Sequence, residues 1–242
     1  MTRGGARWDE RRLLALEVDA IHGLAPYQDA PRAVPKDPSV LAVWAWSPRA
    51  RLLALAPGIA LPGSLDGMAQ EYVPGRPPDA LRSLVASLGD RAVSVGGGPS
   101  FVLPGPLAAP DPAPLPVVVS TAGGRRAARR LARPGTWQPG EWHELVDGRM
   151  GPWAMAVHGR EPVSICFTPA SNGTGAEAGV WTRPDFRGKR LAPAVVAAWS
   201  RREHRDVLFY STTADNHASR SVARVLGLTP LGWIWTARRR TS

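Results

Sequence analysis

Apolar and polar positions alternate along this chain in blocks that predict distinct elements. Within Asp9–His22 the apolar residues Leu13, Leu14, Leu16, Val18 and Ile21 fall on one helical face, and Gly23 follows as a stop. Val40–Trp46 and Arg51–Pro57 read as paired strands joined by S-P-R-A. Pro77–Leu88, opened by P-P-D and closed by Gly89, predicts a second helix. Ala92–Val102 is strand-like but interrupted by Gly96, Gly97 and Gly98, which predicts a bulge or flexible loop; a phosphate cradle would need Lys-Ser/Thr and a helix start, and neither follows.

Leu103–Pro116 carries six prolines in 14 residues and reads as a stiff linker. The expected division is therefore an N-terminal α+β region over 1–116 and a second domain over 117–242. In the second, Val117–Ser120 predicts a short strand and Gly124–Ala132 a helix covered in arginine. G-E-W-H-E-L-V-D-G suits a helix or turn, and Trp153–Val157 with Val163–Phe167 a hairpin around H-G-R-E-P. Pro169–Gly175 reads as a flexible turn leading into a strand over Ala176–Thr182. After that come a helix over Leu191–Ser200, a strand over Val207–Ser211, a helix around Ser219–Leu226 and a strand over Leu231–Thr236.

Two junctions in this series carry chemistry. In G-V-W-T-R-P-D-F-R-G-K-R-L-A, from Gly179 to Ala192, a strand stopped by Pro184 feeds a turn of Arg187, Gly188, Lys189 and Arg190 and then a helix. First-turn N–H groups have no intrahelical partner and the helix dipole favours an anion there, which makes this a phosphate-binding design. An ordinary strand-to-helix turn with solvated arginines fits the same residues. The second junction, Y-S-T-T-A-D-N-H-A-S from Tyr210 to Ser219, leads into R-S-V-A-R-V-L-G-L, where Gly227 stops the helix.

In this order and spacing the pair resembles the GCN5-related N-acetyltransferase (GNAT) family over about two fifths of the chain, from Trp142 to Trp235. The first stretch resembles the coenzyme A pyrophosphate loop R/Q-x-x-G-x-G/A, and the second the D-N-x-x-S element that ends in L-G. The resemblance implies a mixed α/β fold, a twisted mixed sheet flanked by helices. The N-terminal region is compatible with a diverged copy of the same domain. It further implies acetyl-CoA as cofactor, with Val180, Trp181 and Thr182 along the pantetheine and Arg187, Gly188, Lys189, Arg190, Leu191 and Ala192 around the pyrophosphate. Asn216 and Ser219 match the second element.

Two positions depart from the family pattern. Arg190 stands where the inner glycine belongs, adding bulk and a cation that grips phosphate oxygens. Ala223 stands where the family often has a tyrosine that protonates the leaving thiolate. As catalytic candidates the resemblance implies Glu177 as general base, and Ser211 is a substitute donor to the thiolate. An exposed or a salt-bridged strand residue is the plainer alternative for Glu177.

Composition narrows the rest. Net charge is +10, with 30 Lys and Arg against 20 Asp and Glu, so an anionic ligand is expected: coenzyme A, an acidic substrate or nucleic acid. The basic Gly124–Ala132 run fits RNA, an acidic carrier, the coenzyme phosphates or simply solvent, and it lacks the aromatic interleaving of an RNA-binding motif. The single cysteine, Cys166, excludes an internal disulfide and argues for a cytoplasmic setting. As a small buried hydrophobe it is not expected to be a nucleophile. No apolar run long enough to span a membrane occurs, and five scattered histidines lack metal-ligand spacing, so no metal is expected. His158, His204 and His217 are weak candidates, and the tryptophans are expected in the core.

The expected activity is acyl transfer from acetyl-CoA to a primary amine of a small molecule or peptide, with nucleic acid and membrane unexpected as partners and a homodimer left open. Two readings stand against it: a GNAT-fold coenzyme-binding module without turnover, and a basic RNA- or carrier-protein-binding protein.

Overall fold

The structure, a computed structural model, describes residues 8–26, 33–60, 70–89, 92–108 and 114–240. The centre of the proline-rich stretch lies outside the described residues. The chain divides into two compact units, one over Leu103–Tyr210 and Ser221–Leu228, the other over Arg7–Val102, Ser211–Arg220 and the segment from Thr229 onward. The division therefore does not follow the chain at residue 116.

The first unit contains β4 (Val117–Val119), α3 (Ala122–Ala128), α4 (Pro139–Asp147), β5 (Trp153–His158), β6 (Glu161–Ser171), β7 (Gly175–Thr182), α5 (Leu191–Ser200) and β8 (Val207–Ser211). Its strands run β8-β7-β6-β5-β4. The β4/β5, β5/β6 and β6/β7 pairs are antiparallel and β7/β8 is parallel, with α5 as the crossover between them. Gly159, at φ +61°, stands at the first central position of the β5–β6 hairpin, where a type II′ turn takes glycine.

Strand alternation sends Trp153, Met155, Ile165, Phe167 and Trp181 to one face. There they form a cluster with Ala128 of α3 and Trp142, Leu145 and Val146 of α4. Helix α5 is apolar on every side, with Leu191 and Pro193–Ser200 buried, and it lies across β4 to β7. Trp199 Nε1 donates to Thr168 Oγ1 at 3.0 Å, and that hydroxyl donates to the buried Glu203 Oε2 at 2.9 Å, which locks the helix end to β6.

Three expectations need correction here. α3 ends at Ala128 instead of Ala132: Thr121 Oγ1 caps it by accepting from Gly124 N–H, and Arg130 and Leu131 donate to carbonyls three residues back, which tightens the chain out of the helix ahead of Pro134. Pro169–Ser171 is strand, not turn, because β6 continues past an irregularity between Phe167 and Ala170 to pair Ala170 with Glu177. Leu103 and Leu107 are anchored, with Leu103 N–H donating to Leu208 C=O and Leu107 N–H to Ser200 Oγ, so the described start of the proline-rich stretch is part of this unit.

The second unit contains α1 (Glu10–His22), β1 (Val40–Trp46), β2 (Arg51–Leu55), α2 (Asp79–Leu88), β3 (Val93–Val102) and β9 (Thr229–Arg239). Its strands run β2-β1-β9-β3, each pair antiparallel. The last strand of the chain thus makes its ladders with two strands from the N-terminal hundred residues, which is why the contact boundary ignores residue 116. Trp44, Trp46, Trp233 and Trp235 share one face and pack with Tyr72 and with Leu81, Leu84 and Val85 of α2.

In α1, Asp9 Oδ1 accepts from Arg12 N–H at 2.7 Å and Gly23 closes the helix at φ +68°. His22, in its last turn, is buried, and desolvation, aided by Arg238 and opposed by Asp37, pulls its pKa from 6.5 down to about 4. The folded state holds this imidazole neutral while the unfolded chain protonates it. Stability is then full above the unfolded value and falls as pH drops from about 6.5 towards about 4, by roughly 3 kcal/mol in total. Urea unfolding across this window should show that slope, and His22→Gln should flatten it; a slope unchanged by the substitution contradicts the assignment.

Candidate functional site

In the first unit, strands β7 and β8 pair only through Gly175↔Val207, Ala176↔Leu208 and Glu177↔Phe209. Gly175 is required there, since a Cβ would lie 2.8 Å from the Phe209 ring. Past Glu177 the other edge of β7 stays in register with β6, from Gly179↔Phe167 to Thr182↔Ser164. On the β8 side, no described residue continues the ladder over Ala178–Thr182. Burial follows the same change: Gly175–Ala178 are buried and Gly179–Thr182 half-buried. An extended polar chain can hydrogen-bond to such an edge, and Val180, Trp181 and Thr182 lie along it. Ser164 Oγ and Thr182 Oγ1, 2.8 Å apart, hold the strand end in place.

The basic turn follows directly. Phe186, the one apolar residue of P-D-F-R-G-K-R, is buried beneath it, with Lys189 Nζ and Arg183 Cζ each 4.4 Å from its ring centre. Arg183 is committed: it bonds Asp185 at 2.8 and 2.9 Å and forms an ion pair with Glu161, and its guanidinium holds the Asp185 carboxyl below the ordinary range. Arg187 and Arg190 are exposed and have no carboxylate partner among the described residues. The backbone N–H groups of Gly188, Lys189 and Arg190 likewise find no acceptor among the described residues, and those of Leu191 and Ala192 open α5. Five consecutive amide donors with two unengaged guanidiniums fit a pyrophosphate. Phe186 was missed in the sequence, where its isolation among polar residues was the available signal.

Arg190 has φ +57°, the left-handed conformation that glycine adopts freely and arginine does at a cost. Arg190→Gly should raise stability by about 1 kcal/mol, or a melting temperature increase of a few degrees. A lower melting temperature would contradict the strain.

Glu177 is 7% exposed, in the buried half of β7 where it meets β8. It shares a strand face with Gly179 and Trp181. Glu177 is thus not an exposed strand residue. Cys166 is fully buried, and desolvation, with the Glu177 charge adding to it, pushes its thiol well above the ordinary value. No thiolate is available for covalent catalysis.

The structure brings Glu177, Val180–Thr182 and Arg187–Ala192 together in the first unit. Ser211, Asn216 and Ser219 belong to the second. Ser211 ends β8 and is half-buried. Asn216 Oδ1 accepts from Ser219 N–H at 3.0 Å, so this pair caps α6 (His217–Val225), which starts two residues before the expected Ser219. Ala223, in the first unit, is 1% exposed, so a tyrosine in its place has no room. His158, His204 and His217 are exposed, and no cluster of metal-ligating residues occurs among the described residues. No described helix is long and apolar enough to cross a membrane.

Residues 148–231 match the family model of the GNAT acetyltransferases, bearing out the resemblance for the C-terminal half and its mixed α/β sheet with flanking helices. Among solved structures the chain is similar to a GCN5-related N-acetyltransferase from Kribbella flavida, at 14% identity over 98% of each chain and a TM-score of 0.48. A tandem GNAT protein from the clavulanic acid biosynthesis pathway is 15% identical over 95% of this chain and 94% of that one, with a TM-score of 0.46. A GCN5-related N-acetyltransferase-like protein from Streptococcus suis is 18% identical over 66% and 68%, with a TM-score of 0.45. A search of curated proteins found no match.

Proposed function

We propose that this chain, whose residues 148–231 match the GNAT acetyltransferase family, transfers an acyl group from acetyl-CoA to a primary amine of a small molecule or peptide. The observation that carries the reading is the junction of an unladdered β7 edge with a run of unengaged amides and guanidiniums from Arg187 to Ala192. When bound, the coenzyme supplies an activated thioester. Val180–Thr182 would align its arm along β7, while the amides from Gly188 to Ala192, with Arg187 and Arg190, hold its diphosphate. Glu177 takes the proton from the incoming ammonium, directly or through one water, so that the amine can attack. Positioning supplies most of the remaining rate.

Incubation of the protein with acetyl-CoA and a panel of primary amines, read by release of free thiol, tests this. Amine-dependent thiol release above the no-amine control is expected. The buried Ala223 favours one competing reading, a coenzyme-binding module without turnover, because the position offers no acid for the leaving thiolate. Coenzyme binding with no thiol release across the panel would select that module instead.

A further inference from the structure

The turn that leaves α3 and the tip of the β5–β6 hairpin enclose an open cleft of about 680 Å³, enough for a ligand of nucleotide size. Arg129, Arg130, Leu131, His158, Arg160 and Glu161 line it; none of the residues of the Arg187–Ala192 turn does. The enclosure is held by two hydrogen bonds. Ala132 N–H donates to Arg160 C=O at 2.8 Å, and Arg160 Nη2 donates to Arg130 C=O at 3.1 Å.

Charge in the cleft is unbalanced. Glu161, its only acid, is engaged by Arg183, and Arg129 is engaged by Asp147 at 2.9 Å. The Arg130 guanidinium has no partner among the described residues, and that of Arg160 meets only a carbonyl. Two uncompensated guanidiniums in a concave site raise the local potential, and an anion relieves it. Planar guanidinium forks suit the paired oxygens of phosphate. Beside them stand an apolar wall, Leu131, and a flat ring, His158, whose centre lies 5.2 Å from that of Phe186.

An extended polyanion is less suited. Of the described arginines around α3, Arg125 donates to Ser120 C=O, Arg133 to Trp137 C=O and Arg129 to Asp147, which leaves Arg126 and Arg130, too few for a continuous stripe. We propose that this cleft is a second anion site, separate from the Arg187–Ala192 turn, which binds a phosphate-bearing ligand of nucleotide size. Arg130 and Arg160 hold the phosphate, and Leu131 and His158 flank the remainder of the ligand.

Calorimetric titration of the full chain with ADP and with pyrophosphate, alone and with saturating acetyl-CoA, tests the assignment. Saturable binding is expected in both conditions. Arg130→Glu should weaken it at least tenfold with the melting temperature unchanged, and Arg130→Gln several-fold, while Arg187→Glu leaves it within about twofold. An isotherm unaffected by either Arg130 substitution overturns the site. So does binding that disappears with acetyl-CoA or in Arg187→Glu, because the probes then occupied the basic turn. Steeply salt-dependent binding of a ten-nucleotide single-stranded RNA, with no heat from ADP or pyrophosphate, would assign the arginines to nucleic acid and also overturn the proposal.

Discussion

Under the proposed acyl transfer, Glu177→Gln is expected to lower the rate by about 10²- to 10⁴-fold and to leave coenzyme affinity within about twofold. Glutamine keeps the shape of the side chain and its capacity to accept hydrogen bonds but cannot take the ammonium proton. Glu177 sits at the last paired position of β7 and β8, Glu177↔Phe209, where the buried half of β7 gives way to its open edge. A merely structural carboxylate there would show itself as a lower melting temperature with little change in kcat. A base shows the reverse, together with loss of the acidic limb of the kcat/KM pH profile. A variant that retains full rate removes Glu177 from the chemistry.

Gly98→Ala destabilises the protein by about 3 kcal/mol or more, through overpacking that side-chain movement cannot relieve. A Cβ at Gly98 would stand 1.9 Å from Thr212 O and one at Gly97 2.4 Å from Ile234 O, both backbone atoms. At Gly96 nothing lies within 4 Å. Gly96→Ala is therefore a control on the same strand, with an expected change within about 0.5 kcal/mol. Urea denaturation of the two variants reads the contrast, and equal effects at Gly96 and Gly98 would contradict it. The triple glycine is neither the expected loop nor a phosphate cradle. It is the middle of β3, paired with β9 on one side, with Gly97 C=O accepting from Ala214 N–H at 3.0 Å.

Much of the local fold was legible because its signals are local. Val40–Trp46, Leu191–Ser200 and Val207–Ser211 form with the bounds that apolar runs and breakers predict. The basic turn was legible because Pro184 and Gly188 punctuate it and four cations crowd it. What escaped depends on contacts remote in sequence. Nothing in Thr229–Arg239 says that it will pair with β1 and β3, about 190 and 140 residues away along the chain, so the boundary at 116 followed composition and missed the β9 ladders. The glycines of β3 look like a loop until the Thr212 carbonyl is seen against them.

At the site, residue identities were readable but their states were not. That Arg190 is left-handed, that Asn216 caps α6, and that Glu177 is buried while Arg187 and Arg190 are exposed all follow from tertiary placement. That Ala223 is buried likewise required the structure.

The central claim is that Arg187–Ala192 cradles a coenzyme diphosphate. Titration of the full chain with acetyl-CoA, CoA and dephospho-CoA, followed by thermal denaturation, tests it most directly. All three carry the diphosphate, so each should bind saturably and, at about 100 times its dissociation constant, add roughly 2.7 kcal/mol of stability, with Arg187→Glu and Lys189→Glu weakening all three in parallel. No shift with any of the three, or shifts that the substitutions leave unchanged, would contradict the account.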